Sequence, residues 1–405
     1  MKVRVTLAVA ALTALVAAGC GSSGNSSSSS SAAASASSSG SGSGSGSGKT
    51  CKATIAIEGP FTGPNAPIGL EQLHFAQLAV ADDNEANGTD VTLAQDDTQL
   101  TPSIATQKTQ SILSTNAVAT VGPAGSQEVE AVGPLFGRAG MAFISGSATL
   151  PALTTDGRNP TFLRVVPNDD IQGPQDANYV IKHLHPKGVL IIDDDEAYSQ
   201  GLVKTIVPIL QKAGIKVNHQ TINGTDTGAT LANDINSLVT KLTPDETVTM
   251  LPWQTAANAQ QFGLEVAKQH KTTTLFGTDG TNSPTVFKIA GTYVSNFGPD
   301  ISQSKSALDK QIVTGVAKYG PYGSFGVPTY AATDVEMKAI AAVCKAGQTP
   351  SRSNVLAQIR KTNIPGAQNP LGVTVAFKSN GDIVGQPGYL FKIENGGKYV
   401  AIPNH

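Results

Sequence analysis

The sequence predicts an α/β protein built as two doubly wound parallel-sheet lobes joined by a hinge of several crossovers. Three observations carry that reading. From residue 51 onward, short apolar runs alternate with stretches of helical spacing in a β–α–β–α rhythm. The rhythm breaks where Thr161-Phe-Leu-Arg-Val-Val166 meets Pro167-Asn-Asp-Asp-Ile-Gln-Gly173, and then it starts again. The apolar runs end in turns rich in glycine, serine or aspartate, which places ligand-sized loops at the carboxyl ends of the strands.

In chain order, Lys52-Ala-Thr-Ile-Ala-Ile-Glu58 alternates like a strand and enters a Gly/Pro-rich loop over residues 59–69. A helix is expected over 70–84, a strand over 90–95 ending at Asp96-Asp97, and a helix over 102–114. The strand at 117–121 empties into Gly122-Pro-Ala-Gly-Ser126, and its following helix carries Glu128 and Glu130 near the positive end. The rest of the chain is arranged around the next stretch. Gly140-Met-Ala-Phe-Ile-Ser145 reads as a buried strand and Gly146-Ser-Ala-Thr149 as a tight loop. Thr149 is the expected N-cap of a helix with Pro151 in its first turn. A strand that runs into a helix N-terminus collects unpaired N–H groups and a positive dipole end, a geometry suited to a carboxylate.

The second series predicts strands at 188–192, 215–221, 247–251 and 273–276. Helices fall between them at 200–213, 231–242 and 256–269. Residues 293–299 are the return crossing, helices over 304–319 and 328–345 rejoin the first lobe, and strands near 373–377 and 388–392 finish the chain. The first lobe is thus expected at 51–167 and 301–386, and the second at 168–300 and 387–405.

The chain's beginning reads differently. Lys2 and Arg4 precede an apolar run that ends in Ala17-Ala-Gly-Cys20, shorter than the ~20 residues that span a bilayer. Residues 1–20 are expected to be a lipoprotein signal peptide with Cys20 the lipid-attachment site, although Ala17 stands where a lipobox usually has leucine. An ordinary signal peptide with an incidental cysteine is the alternative. Residues 21–48 are almost wholly Ser, Gly and Ala, have nothing to bury, and read as a flexible tether reaching on the order of 30 Å. Cys51 and Cys344 then remain for an oxidising exterior, where they either pair or stay as two inert thiols. Pairing is the expectation, because Cys51 opens the first strand and a helix from Pro328 carries Cys344 toward the same end of the lobe, away from the strand-end cleft. A net charge of −2 without a basic block points away from nucleic acid.

Gly59-Pro-Phe-Thr-Gly-Pro64, Gly146-Ser-Ala-Thr149, Asp169-Asp-Ile-Gln-Gly173, Asp195-Glu-Ala-Tyr198 and Phe276-Gly-Thr-Asp-Gly280 occur in that order. Together they resemble the substrate-binding proteins of branched-chain amino acid ABC transporters, the leucine/isoleucine/valine-binding type, from about residue 50 to the C-terminus. The resemblance implies a type I periplasmic-binding-protein fold that closes on a small ligand, no enzymatic activity and no cofactor. It also implies delivery to an ABC permease, an extracytoplasmic location at the membrane through the lipid anchor, and a monomer. By the same resemblance, Ser147, Ala148 and Thr149 hold an amino-acid head group, and the loop Gly122–Ser126, with Pro123 and Ser126, adds backbone contacts to its carboxylate. Asp279 pairs with the ammonium, where the family has a glutamate. Tyr198, Trp253 and Phe325 line the side-chain pocket, while Ile68 replaces an aromatic residue of the family.

The residues alone leave other readings open. Asp279 fits a turn-forming Asp-Gly dipeptide equally well, Trp253 a packed core residue, and Thr149 a pure helix cap. Asp193-Asp-Asp-Glu196 reads as a solvated strand-end loop rather than a cation site, and His183 and His185 as surface residues without metal-binding partners. No G-x-S-x-G elbow, H-E-x-x-H helix or Walker loop occurs. A ligand-reporting surface sensor of the same fold, binding of amides, urea-like solutes or aromatic acids, and a hydrolase on a similar scaffold remain the alternatives.

Overall fold

The computed structural model describes residues 51–403. The expected signal peptide with Cys20 and the expected tether lie outside the described residues. The first sheet is fully parallel in the order β2-β1-β3-β4-β5. Its strands are β1 (Cys51–Gly59), β2 (Thr89–Asp97), β3 (Ala117–Val121), β4 (Ala142–Ser145) and β5 (Phe162–Arg164). This order reverses direction between β1 and β3, so the loops leaving those strands flank a crevice. The helices α1 (Ala66–Asn87), α2 (Pro102–Leu113) and α3 (Ser126–Ala139) make the crossovers. α1 starts with a proline in its first turn and stops at Gly88, whose φ of 62° suits glycine and whose N–H bonds Asn84 O.

Alternation along β1 divides the lobe's core. Ile55 and Ile57 face one layer, which includes α1, α9 (Ala307–Val316), α10 (Gly326–Lys345) and α11 (Arg352–Ile359). Ala56 faces the other, where Phe136, Phe143 and Phe162 pack with ring centroids 4.5 and 5.1 Å apart. Burying each such aromatic or aliphatic side chain stabilises by about 1.5–3 kcal/mol. Cys51 and Cys344, at the end of α10, are joined with Cα atoms 5.8 Å apart.

The second sheet runs β14-β13-β10-β9-β8-β6-β7. Its parallel part comprises β6 (Gly188–Asp193), β7 (Lys216–Thr221), β8 (Glu246–Leu251), β9 (Thr274–Gly277) and β10 (Tyr293–Asn296). Taken in chain order this repeats the winding of the first sheet, and α6 (Ala197–Lys212), α7 (Gly228–Lys241) and α8 (Ala256–Lys268) cover it. The sequence points to a single closing strand there. Two are present, β13 (Tyr389–Glu394) and β14 (Lys398–Ala401), both antiparallel to their neighbours. The expected strand at 373–377 is reduced to β12 (Val375–Ala376), which pairs with a two-residue β11 (Asn363–Ile364), and α11 is an element the sequence pattern does not announce.

The chain passes between lobes after β5, after β10 and before β13. Val166, Phe297 and Phe325 form a small apolar cluster at these passages, with Ile68 against it. Phe297 and Phe325 meet edge to face at 5.2 Å, and Gln386 Nε2 donates to Phe297 O. Arg164, fully buried at the end of β5, donates to Asp382 Oδ1 at 2.7 Å, to the carbonyls of Ala148 and Leu150, and to Thr154. A buried guanidinium is tolerated because its donors are spread over a carboxylate, two carbonyls and a hydroxyl.

One expectation about local structure is corrected. The helix after β4, α4 (Ala152–Thr155), is a single turn that begins behind Pro151, so Thr149 does not cap it. The N–H groups of Ser147 and Ala148 are taken by Ser145 Oγ at 3.2 and 3.0 Å, and that of Leu150 by Ser126 Oγ. Serine hydroxyls have competed successfully for the donors a longer helix would have left pointing at a ligand. The full helix N-terminus at the cleft belongs to α3 instead.

Candidate ligand site between the two lobes

The carboxyl ends of β3 and β4 in one lobe face those of β6, β8 and β9 in the other. Between them lies a narrow cavity of about 30 Å³. The first lobe supplies Ile68, Leu100, Ala124, Gly125, Ser126, Ser147 and Phe325; the second supplies Tyr198, Gln254, Asp279 and Gly280. Gly125 precedes α3, a helix of 14 residues whose positive end therefore meets the cavity.

Asp279 is the acid of this wall. It opens a short 3₁₀ turn, Asp279–Thr281, directly after β9, and is only 3% exposed. Its Oδ1 accepts from Tyr198 OH at 2.7 Å and from Gln172 Nε2 at 2.5 Å. Tyr198 OH, on α6, also meets Thr278 Oγ1 and accepts from Gly280 N. Burial pushes the Asp279 carboxyl up to about 6, while the Tyr198 and Gln172 hydrogen bonds pull it back down. Gly280 has to be glycine, since a Cβ there would sit 2.4 Å from Trp253 O.

Two further acids stand behind it on α5 (Asp169–Tyr179). Asp169 is raised to about 8, first by burial and then by the charge of Asp279, with the Thr149 hydroxyl acting against both. Asp176 is raised strongly by burial and accepts from Ser295 Oγ at 2.8 Å. Gln172 ties the group together, donating to Ser295 Oγ as well as to Asp279. With their carboxyls raised, Asp169 and Asp176 are held largely protonated at neutral pH, so the Asp279 carboxylate, with Arg164 already engaged by Asp382, is the charge that suits this end of the cavity to a cationic group.

The opposite side is polar, and the buried Glu128 carboxyl in the first turn of α3, raised to about 7 by burial, already accepts from Gly125 N at 2.8 Å. Ser147 Oγ donates to Ala124 O at 2.8 Å and accepts from Gln72 Nε2 at 2.9 Å. A ligand anion here would meet the first turn of α3 and the Ser126 and Ser147 hydroxyls.

Of the residues singled out in the sequence, Ser126, Ser147, Tyr198, Asp279 and Phe325 come together on the cavity wall. Pro123 and Ala148 lie one layer behind, Pro123 through its carbonyl, which accepts from Ser145 Oγ. Thr149 is also set back, its carbonyl accepting from Asp169 N across the lobe boundary. Trp253 packs in the second lobe's core, edge-on to Phe262 at 5.8 Å, and the residue after it, Gln254, faces the cavity in its place. The Asp193–Glu196 turn is not the solvated loop its composition suggests. Asp193 accepts from Thr221 Oγ1 and pairs with His219. Asp194 accepts from Ser199 Oγ and from Gln254 N at 2.8 Å, fixing the loop that carries Gln254. Sequence reasoning also passed over Gln72, Leu100, Gln172 and Gln254. Gln172 lies inside the Asp169–Gly173 motif, and Gln254 adjoins the only tryptophan.

The comparisons with known proteins agree with this architecture. A family model described as "Periplasmic binding protein" matches residues 52–398. The Leu/Ile/Val-binding protein BraC3 of Rhizobium johnstonii is 28% identical over 363 residues, covering 86% of this chain and 93% of the relative. Among solved structures, the branched-chain amino acid transporter substrate-binding protein LivJ of Streptococcus pneumoniae, in complex with isoleucine, superposes with a TM-score of 0.74. It is 20% identical, covering 86% of this chain and 98% of that one. A solute-binding protein of R. palustris in complex with benzoate gives a TM-score of 0.72 at 18% identity, covering 86% and 95%. Two like-wound lobes with the site at their facing strand ends, and a family match over most of the chain, place this protein in the periplasmic binding protein family.

Proposed function

We propose that this protein captures an α-amino acid of branched-chain size between its lobes and delivers it to an ABC transporter permease. It acts outside the cytoplasm, as a monomer held at the membrane by a lipid on Cys20. The observation that carries the reading is Asp279, buried on the cavity wall and oriented by Tyr198 and Gln172, opposite the positive end of α3. A zwitterion matches that polarity, with its ammonium at Asp279 and its carboxylate at Ser126, Ser147 and the α3 terminus. Each lobe supplies part of the contact, so the ligand favours the closed state through its greater affinity for it. The names of the relatives put branched-chain amino acids first among the ligands to test. A thermal-shift screen over the common amino acids, small amides and aromatic acids, followed by calorimetry, tests the proposal. Stabilisation by amino acids but not by their deaminated acids is expected; stabilisation only by ligands lacking an amino group overturns it. Cys20→Ala is expected to release the protein from the membrane fraction or block its processing.

A further inference from the structure

Where the cavity meets an adjoining recess stands a pair of side chains that the amino-acid head group does not use. Gln127, on α3 of the first lobe, donates through Nε2 to Gln254 Oε1 of the second lobe at 3.1 Å. Both residues are more than nine-tenths buried, with Gln127 8% and Gln254 7% exposed. Each still has one polar atom without a partner: Oε1 of Gln127 and Nε2 of Gln254. Exchanging oxygen and nitrogen in both amides leaves the same remainder, one acceptor and one donor. The pair is held in place. Asp194 fixes Gln254 through its backbone N–H, and Gly280 lets that loop come close. Gln254 lines both the cavity and the adjoining recess, and Gln127 lines that recess. A Cβ on the cavity-lining Gly125 would lie 3.0 Å from Gln127 Oε1, so the pair stands where a ligand side chain leaving the cavity enters the recess.

We infer that Gln127 and Gln254 together read a carboxamide at the end of the ligand's side chain. The inference rests on the amino-acid reading of the same cavity. A ligand amide offers an N–H to the unpaired oxygen and its carbonyl to the unpaired N–H, completing both glutamines. An isobutyl group of the same shape leaves both atoms buried and unsatisfied when the lobes close. A carboxylate in that position would face Asp194 and Glu196, which line the adjoining recess beside Gln127 and Gln254. Ile68, Leu100 and Phe325 remain to cover the methylene part of the ligand.

The test is calorimetry on the full chain with isosteric ligand pairs, asparagine against leucine and glutamine against methionine. The wild type is expected to bind the better-fitting amide at least about tenfold more tightly than its isostere. Gln254→Leu and Gln127→Leu are expected to remove or invert that preference. A wild type that prefers leucine or methionine overturns the inference while leaving the amino-acid reading intact. Equal weakening of both members of a pair in the variants also overturns it, because the glutamines would then only hold the lobes closed. Failure to bind any of the four, together with binding of a ligand lacking an amino group, counts against the underlying reading itself. Thermal unfolding of each variant without ligand shows that it is folded.

Discussion

Replacing Asp279 by Asn tests the polarity of the site with the least disturbance to its surroundings. The Oδ1 atom of asparagine can keep the bonds from Tyr198 OH and Gln172 Nε2, so the change removes charge and little else. Losing one partner of a desolvated charge pair costs about 2–5 kcal/mol, which at pH 7.5 is roughly 30- to 4,000-fold in Kd. The pH dependence sharpens the test. With its carboxyl near 6, wild-type Asp279 is largely ionised at pH 7.5 and about nine-tenths protonated at pH 5. If only the ionised form is competent, wild-type affinity falls about tenfold between those values, while the Asn variant changes little. The two curves converge as pH falls. Calorimetry at pH 5, 6 and 7.5 in buffers of different ionisation enthalpy reads both the affinities and the proton released on binding near pH 6. Unchanged affinity in Asp279→Asn, or parallel curves for the two proteins, refutes the ammonium pairing.

Other consequences follow from the rest of the structure. Cys344→Ser removes a bridge spanning 293 residues and is expected to lower stability by about 2–5 kcal/mol, read as a reduced urea midpoint; an unchanged midpoint refutes a stabilising role. Arg164→Met leaves Asp382 without its charge partner and takes a donor from the carbonyls of Ala148 and Leu150, at a loss of about 3–5 kcal/mol in the same assay. Unliganded protein should lose stability as pH rises from 5 to 8.5, because Asp279 (about 6), Glu71 and Glu128 (about 7), and Glu58 and Asp169 (about 8) are all raised chiefly by burial. A carboxyl raised on folding contributes stability that is complete below its unfolded value near 4 and is lost as pH climbs through the folded one. A Tm that holds level or increases to pH 8.5 contradicts this.

The fold was legible because its period was. Ile55 and Ile57 on one face of β1 with Ala56 on the other, repeated strand after strand, leave few ways to bury both sides of a sheet except helices on each. The C-terminal region gave weaker signals for a physical reason. β11 and β12 are two residues each, and β13 and β14 are antiparallel additions whose pairing depends on a sheet already formed by distant residues. Nothing local in Val373–Phe377 says which sheet it lacks.

The site was legible as loops and less so as side chains. Small-residue turns at strand ends mark where a ligand can approach, but they do not say which backbone donors remain available. Ser145 carries that ambiguity: its hydroxyl consumes the N–H groups of Ser147 and Ala148, and the longer helix that starts at the cavity is α3 rather than the one-turn α4. Trp253 and Gln254 carry another. At the end of a strand, adjacent side chains point to opposite sides, so the position that fills the core and the one that faces the cavity differ by one residue. Composition favours the tryptophan for a pocket. The acids invert in the same way: Asp193 and Asp194 look solvated by their run of charge, yet Asp194 is buried because Gln254 N and Ser199 Oγ satisfy it. A carboxylate that accepts backbone and hydroxyl donors can leave water without leaving its hydrogen bonds, and here it does so to hold in place the loop that reaches the ligand cavity.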